Sequence, residues 1–204
     1  MNKENSFENL YKKVDATSKT RFNASRRLKS HSKYSTYIIV FISLCLILIS
    51  LMQAYDLGIN IKSNWVVLIQ VFASITVLIY SLLIENHNYS NLSEKMYSCA
   101  SKLGDLKQKI HPHLENNKHE VIDYNDFRKK YKSIFRFYET HSVNDFTGDY
   151  IKAKLEMPEY YELKGIKRVL TEIKIKYIYF KDFFSYFLVI GIFIAIFYFI
   201  YFGW

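Results

Sequence analysis

Two prolines, six glycines and two cysteines in 204 residues leave several protein classes out of reach. Six glycines are few for phosphate-cradling loops, and no Gly-rich nucleotide motif occurs. Nucleophile-elbow serines, kinase signatures and HExxH spacing are also missing, which argues against an enzyme. His111, His113 and His119 crowd one turn. Without cysteines at ligand spacing they give no reason to expect a metal, and nothing else implies a cofactor. Cys45 falls in an apolar run and Cys99 in a polar stretch across a topological boundary, so no disulfide within the chain is expected. Prolines stand only at 112 and 158, so helices can run long, and no strand-like alternation persists anywhere.

Half of the residues are apolar and 18% are aromatic, yet mean hydropathy is close to zero. The apolar residues are therefore segregated. Residues 37–55, 65–84 and 183–204 carry no charge. Each run is close to the roughly 20 residues a helix needs to cross the hydrocarbon core. The expectation is an all-α membrane protein with three transmembrane helices. The first run follows a long basic segment and lacks a cleavage site, so it reads as a permanent span. The segments expected are a basic amphipathic arm (1–35), a two-span hairpin with its stem (36–110), a helical insert (111–182) and a third span (183–204).

Charge sets the expected orientation. Residues 1–35 hold nine Lys/Arg against three acids, residues 85–182 hold 18 against 15, and the 56–64 loop holds one of each. The positive-inside rule puts the N-terminus and 85–182 in the cytoplasm, and the 56–64 loop and the C-terminus outside. A formal net charge of +9 could suggest nucleic acid. Basic residues beside spans already serve topology and anionic headgroups, so the bilayer is the expected partner and no direct nucleic acid contact is.

Helical periodicity continues outside the spans. Phe7, Leu10, Tyr11 and Val14 share one face of the arm. Leu68, Val71, Ile75, Leu78 and Leu82 form a seam that resumes at Tyr89, Leu92, Met96, Cys99, Leu103, Leu106 and Ile110. This spacing predicts one rod through the membrane edge. Tyr124, Phe127, Tyr131, Ile134 and Tyr138 mark another helix, followed by a loop over 139–150. Pro158 suits a helix start, from which Leu163, Ile166, Leu170, Ile173, Tyr177 and Phe180 lead into Phe184 and Phe187 of the third span. Two of the spans, the second and third, thus read as continuous with long cytosolic helical stems. Seams of this kind imply side-by-side helices, within the chain or between subunits of a homo-oligomer.

Polar residues inside the spans are the candidate site. At 100° per residue, Gln70, Ser74, Ser81, Glu85 and Asn88 fall on one arc of about 60°. Ser43 and Ser50 repeat at seven residues on the first span. One reading is close helix packing with hydrogen bonds. The other is a water-filled pore lined by these seven residues, with Glu85 as an acidic ring favouring cations. Three spans cannot enclose a channel, so this second reading requires an oligomer. Arg21, Arg26 and Arg27, just before the first span, are candidates for a regulatory or lipid contact.

The segment RFNASRRL (21–28), the hairpin 37–84 and the stem 85–110 together resemble the SLATT domain, a bacterial two-span membrane module. Arg21, Phe22, Ala24, Arg27 and Leu28 carry the local likeness, which covers about half of the chain. The third span and the 111–182 insert depart from a bare two-span module. The resemblance implies an inner-membrane effector of antiphage defence that forms a pore and causes death or arrest of the infected cell. It also implies a trigger, either a nucleotide second messenger or a protein, from a neighbouring nucleotidyltransferase or reverse transcriptase. The alternative is a non-conducting membrane anchor or scaffold that recruits a soluble partner through the aromatic-rich 120–140 helix.

Overall fold

The computed structural model describes residues 4–115, 121–138, 146–161 and 165–203. These residues form seven helices: α1 (Glu4–Ala54), α2 (Asn64–His87), α3 (Tyr89–Ile110), α4 (Pro112–Glu115), α5 (Val121–Phe137), α6 (Thr147–Leu155) and α7 (Ile166–Phe202). No strand occurs among the described residues. Three helices, α1, α2 and α7, are long and apolar enough to cross a membrane.

The chain divides into two units, each drawn from separated stretches of sequence. Unit 1 contains Met1–Lys29 and Ser90–Tyr179, and unit 2 contains Ser30–Tyr89 and Phe180–Trp204. The arm and the insert, expected as separate segments, therefore fold together with the stem.

Unit 1 is a helical bundle built on the aromatic and aliphatic faces seen in the sequence. Phe7, Leu10 and Val14 of α1 pack with Cys99, Leu103, Leu106 and Ile110 of α3 and with Tyr131 of α5. Burying each large apolar side chain contributes about 1.5–3 kcal/mol before entropy, so this shared core is what holds α1, α3 and α5 together. Met157 and Ala153 make a smaller cluster with Ala16. In unit 2, Ile38, Ile42 and Cys45 of α1 pack against Tyr186 and Phe193 of α7, with Ala73 and Val77 of α2 at the edge.

The structure changes three sequence expectations. The rod predicted through the membrane edge is broken. Helix α2 ends at His87, Asn88 adopts φ 42°, and α3 begins at Tyr89. Asparagine is among the few residues that enter the left-handed region readily, so no Gly or Pro is needed for the break. The helices that continue unbroken beyond their spans are α1 and α7. The loop expected over 139–150 gives way to α6 from Thr147, while 139–145 lie outside the described residues. Pro158 does not start the last helix; Gly165, at φ 58°, precedes it.

Candidate functional site

The RFNASRRL segment lies in the interior of unit 1. Ala24 and Leu28 are buried against the bundle, and Phe22 meets Tyr97 edge to face at 5.5 Å. The Arg21 guanidinium is enclosed by Phe146 at 4.6 Å and Phe135 at 5.3 Å, and its Nη1 reaches Met96 Sδ at 3.1 Å. Arg27 bonds Asp149 through Nε at 3.1 Å and Nη2 at 3.0 Å, both to Oδ2. Tyr179 donates its hydroxyl to Oδ1 of the same carboxylate at 3.3 Å. Asp149 is fully buried. Of the regulatory or lipid contact expected for Arg21 and Arg27, the lipid contact does not fit their place: aromatic faces and a buried acid hold them inside unit 1. Arg26 faces outward.

Asp15 is a second buried acid. Lys107 donates to its Oδ1 at 2.8 Å and Lys19 stands 3.5 Å from Oδ2. Burial pulls the Lys107 ammonium downward, but the hydrogen bond and charge of Asp15 outweigh it and hold the group above the usual lysine range. A raised lysine stabilises the fold fully below its unfolded value of about 10.4, and this contribution is lost as pH rises through the folded value. Alkaline unfolding followed by circular dichroism in detergent should thus fall more steeply above that point in wild type than in Lys107→Met. Beside this pair, Tyr11, Phe22, Lys19 and His111 line a cleft of about 420 Å³.

Among the described side chains, the α5 aromatics turn toward the core. Tyr131 and Tyr138 are buried, and Tyr124, Phe127 and Ile134 pack on the same core. These five side chains of the recruitment face expected on the 120–140 helix are consequently spent on folding. Residues 120 and 139–140, and the side chains of 121–123 and Phe137, lie outside the described residues.

In unit 2 the polar residues of the spans are engaged with helix backbones. Ser43 donates to Ile39 O, Ser50 to Leu46 O, Ser74 to Gln70 O and Ser81 to Val77 O, all at 2.7–3.0 Å. Gln70 links two helices by donating from Nε2 to Ser50 Oγ at 3.5 Å. Val66, Ala73 and Val77 face the other helices, whereas Ser74 and Ser81 are exposed along the flank of that packed face. The Glu85 side chain lies outside the described residues, although its backbone belongs to α2. Asn88 sits at the helix break, so it no longer shares the phase of the α2 arc.

Two features went unread in the sequence. His31 is buried, stacks on Phe183 at 4.3 Å, and has Nδ1 3.2 Å from the Tyr186 hydroxyl. Its place just ahead of a charge-free run was the available signal. The 56–64 loop closes over the end of α7. The Asn60 N–H donates to Ile200 O and its side-chain amide to Phe199 O, each at 3.2 Å. Ile200 O is among the last carbonyls of α7, which a helix end leaves without intrahelical partners, while Phe199 O also accepts from the Gly203 N–H at 3.2 Å.

Comparison with known families gives one result. The model of a family described as SMODS and SLOG-associating 2TM effector domain family 5 matches residues 3–202. The match runs through the insert and the third span rather than stopping at residue 110. No curated protein and no solved structure matches the chain.

Proposed function

The chain belongs to this family of SMODS- and SLOG-associating effectors, and from that premise we propose that it is an oligomeric pore or leak of the bacterial inner membrane. Membership makes it a membrane effector of bacterial conflict and antiphage systems. The finer reading is that a cytosolic signal, a nucleotide second messenger or a protein, shifts the helices outside the membrane and opens the spans, killing or arresting the cell. The strongly basic 1–35 segment supports a cytoplasmic N-terminus and 85–182 region, with the 56–64 loop and C-terminus outside.

The observation that carries the reading is the exposure of α2. Only 6% of its most apolar stretch is buried, against 28% for α1 and 17% for α7. Its polar flank is exposed at Ser74 and Ser81, with Gln70 half-buried beside them. The serines use their hydroxyl protons on their own helix, so they tolerate lipid. A glutamine amide has two donors and an acceptor, and one long bond to Ser50 leaves capacity that lipid cannot fill. Water or another subunit would fill it.

Expression with its genomic neighbours, followed with a membrane-potential dye, tests this. Depolarisation on triggering is the expected result, and Gln70→Leu should cut the leak by about tenfold, the equivalent of one hydrogen bond of roughly 1.4 kcal/mol. An inserted, triggered oligomer that leaves the potential intact would sink the pore. Chemical crosslinking separates this reading from a monomeric anchor.

A further inference from the structure

The seam foreseen along the last helix lies on the outside of the protein. In unit 1, α7 packs through Ile175, which is buried, through Ile178 beside Gly148, and through Tyr179 on Asp149. At 100° per residue these three fall on one side of the helix. Ile166, Leu170, Ile173 and Tyr177 fall on the opposite side, with Val169 at their edge. All five are 55–79% exposed. Their 4-3-4 spacing is that of coiled-coil core positions. Charged neighbours (Lys167, Arg168, Glu172, Lys174 and Lys176) place this stretch outside the charge-free run. A contiguous apolar stripe of this kind on a water-exposed helix marks an interaction surface.

The charges beside the stripe select the occupant. Four positions flank the core of these turns: 167 and 174 on one side, 169 and 176 on the other. Three are lysine, all exposed, and the fourth is Val169. The one acid nearby, Glu172, lies off the stripe, exposed and paired with Arg168 at 3.2 Å. A second copy laid on this stripe would set lysine against lysine, Lys176 opposite Lys181 in a parallel pair and Lys167 opposite Lys174 in an antiparallel one. A helix lying flat on a bilayer needs a break before the span that follows it, and α7 has none from Ile166 to Phe202. We infer that the stripe is the docking face for an amphipathic helix of another protein, one with apolar core positions and acidic flanks. The recruitment role expected of the α5 aromatics thus moves to α7. This deepens the reading in which a protein serves as the trigger.

The test uses the full chain in phosphatidylcholine nanodiscs and two synthetic three-heptad peptides. Both carry leucine at the core positions; one has glutamate and the other lysine at the flanking positions. The acidic peptide should bind the wild type at least about tenfold more tightly than the basic one, and more weakly as salt rises. The combined variant Lys167→Glu, Lys174→Glu, Lys176→Glu should reverse the preference. Ile173→Ser with Leu170→Ser should bind neither peptide while melting as the wild type does, because both side chains are exposed. Equal binding of the two peptides, or binding of neither, overturns the proposal. So does copy-to-copy crosslinking through Ile173→Cys, which would assign the stripe to self-association. Protection of the stripe from hydrogen exchange by phosphatidylglycerol nanodiscs alone would assign it to lipid. Binding is read without ion flux, so it fails or stands separately from the leak.

Discussion

Replacing Arg27 with methionine should lower the unfolding stability of the protein by about 3–5 kcal/mol, the cost of breaking a buried ion pair by removing one partner. The Arg27 side chain is 15% exposed and Asp149 is 0% exposed, so water cannot take over the role of the guanidinium. The Tyr179 hydroxyl still reaches the carboxylate, which places the loss toward the lower end of that range. Asp149→Asn should be milder than Arg27→Met. It keeps the shape and a carbonyl acceptor, and the arginine it strands lies closer to solvent. The double variant Arg27→Met, Asp149→Leu removes both charges and should recover most of the loss. Heat unfolding in detergent, read by far-ultraviolet circular dichroism, ranks the three variants. Three variants with equal stabilities would mean that the pair is solvated and that the Arg27 position has another purpose.

The likeness carried by Arg21, Ala24, Arg27 and Leu28 therefore reports packing. Residues that read as a basic edge before a span instead fix α1 inside the bundle. The sequence shows their types and spacing but not their partners. Arg27 and Asp149 stand 122 positions apart, and Asp149 falls in a stretch that reads as loop. The faces of α1, α3 and α5 were legible because each has one apolar stripe and a polar remainder, and Phe7, Val14, Leu103, Ile110 and Tyr131 all go to the shared core. Periodicity on α7 was equally clear, but it identifies a face without saying what covers it. Ile166, Leu170 and Ile173 are exposed for that reason. The break at Asn88 was hidden because asparagine is tolerated both within a helix and in the left-handed turn that ends one. The polar arc of α2 was legible as far as Ser81. Its relation to the packed face, on the flank rather than within it, depends on α1 and α7 and could not be read from α2 alone.

Gly58→Ala should destabilise unit 2 by about 2–3 kcal/mol, although it adds a single methyl group. Gly58 adopts φ +115°, a conformation that side chains of L-residues rarely take. A Cβ there would stand 2.8 Å from Ile200 O and 3.1 Å from Ile200 Cγ2. The oxygen belongs to helix backbone and cannot swing aside as a flexible side chain could. It is also the acceptor for the Asn60 N–H at 3.2 Å, so pushing the loop away opens this bond and the Asn60 side-chain bond to Phe199 O as well. Two carbonyls at the end of α7 would lose their loop partners at once. Asn60→Ala removes only the side-chain bond and should cost about 1 kcal/mol. Gly191→Ala is the control. It lies within α7, its added Cβ meets nothing within 4 Å, and it should stay within about 1 kcal/mol of wild type. Hydrogen exchange at Asn60 should quicken in Gly58→Ala and remain slow in Gly191→Ala. If the two glycine variants melt together, the loop is not held against α7, and its closure over the helix end contributes nothing to stability.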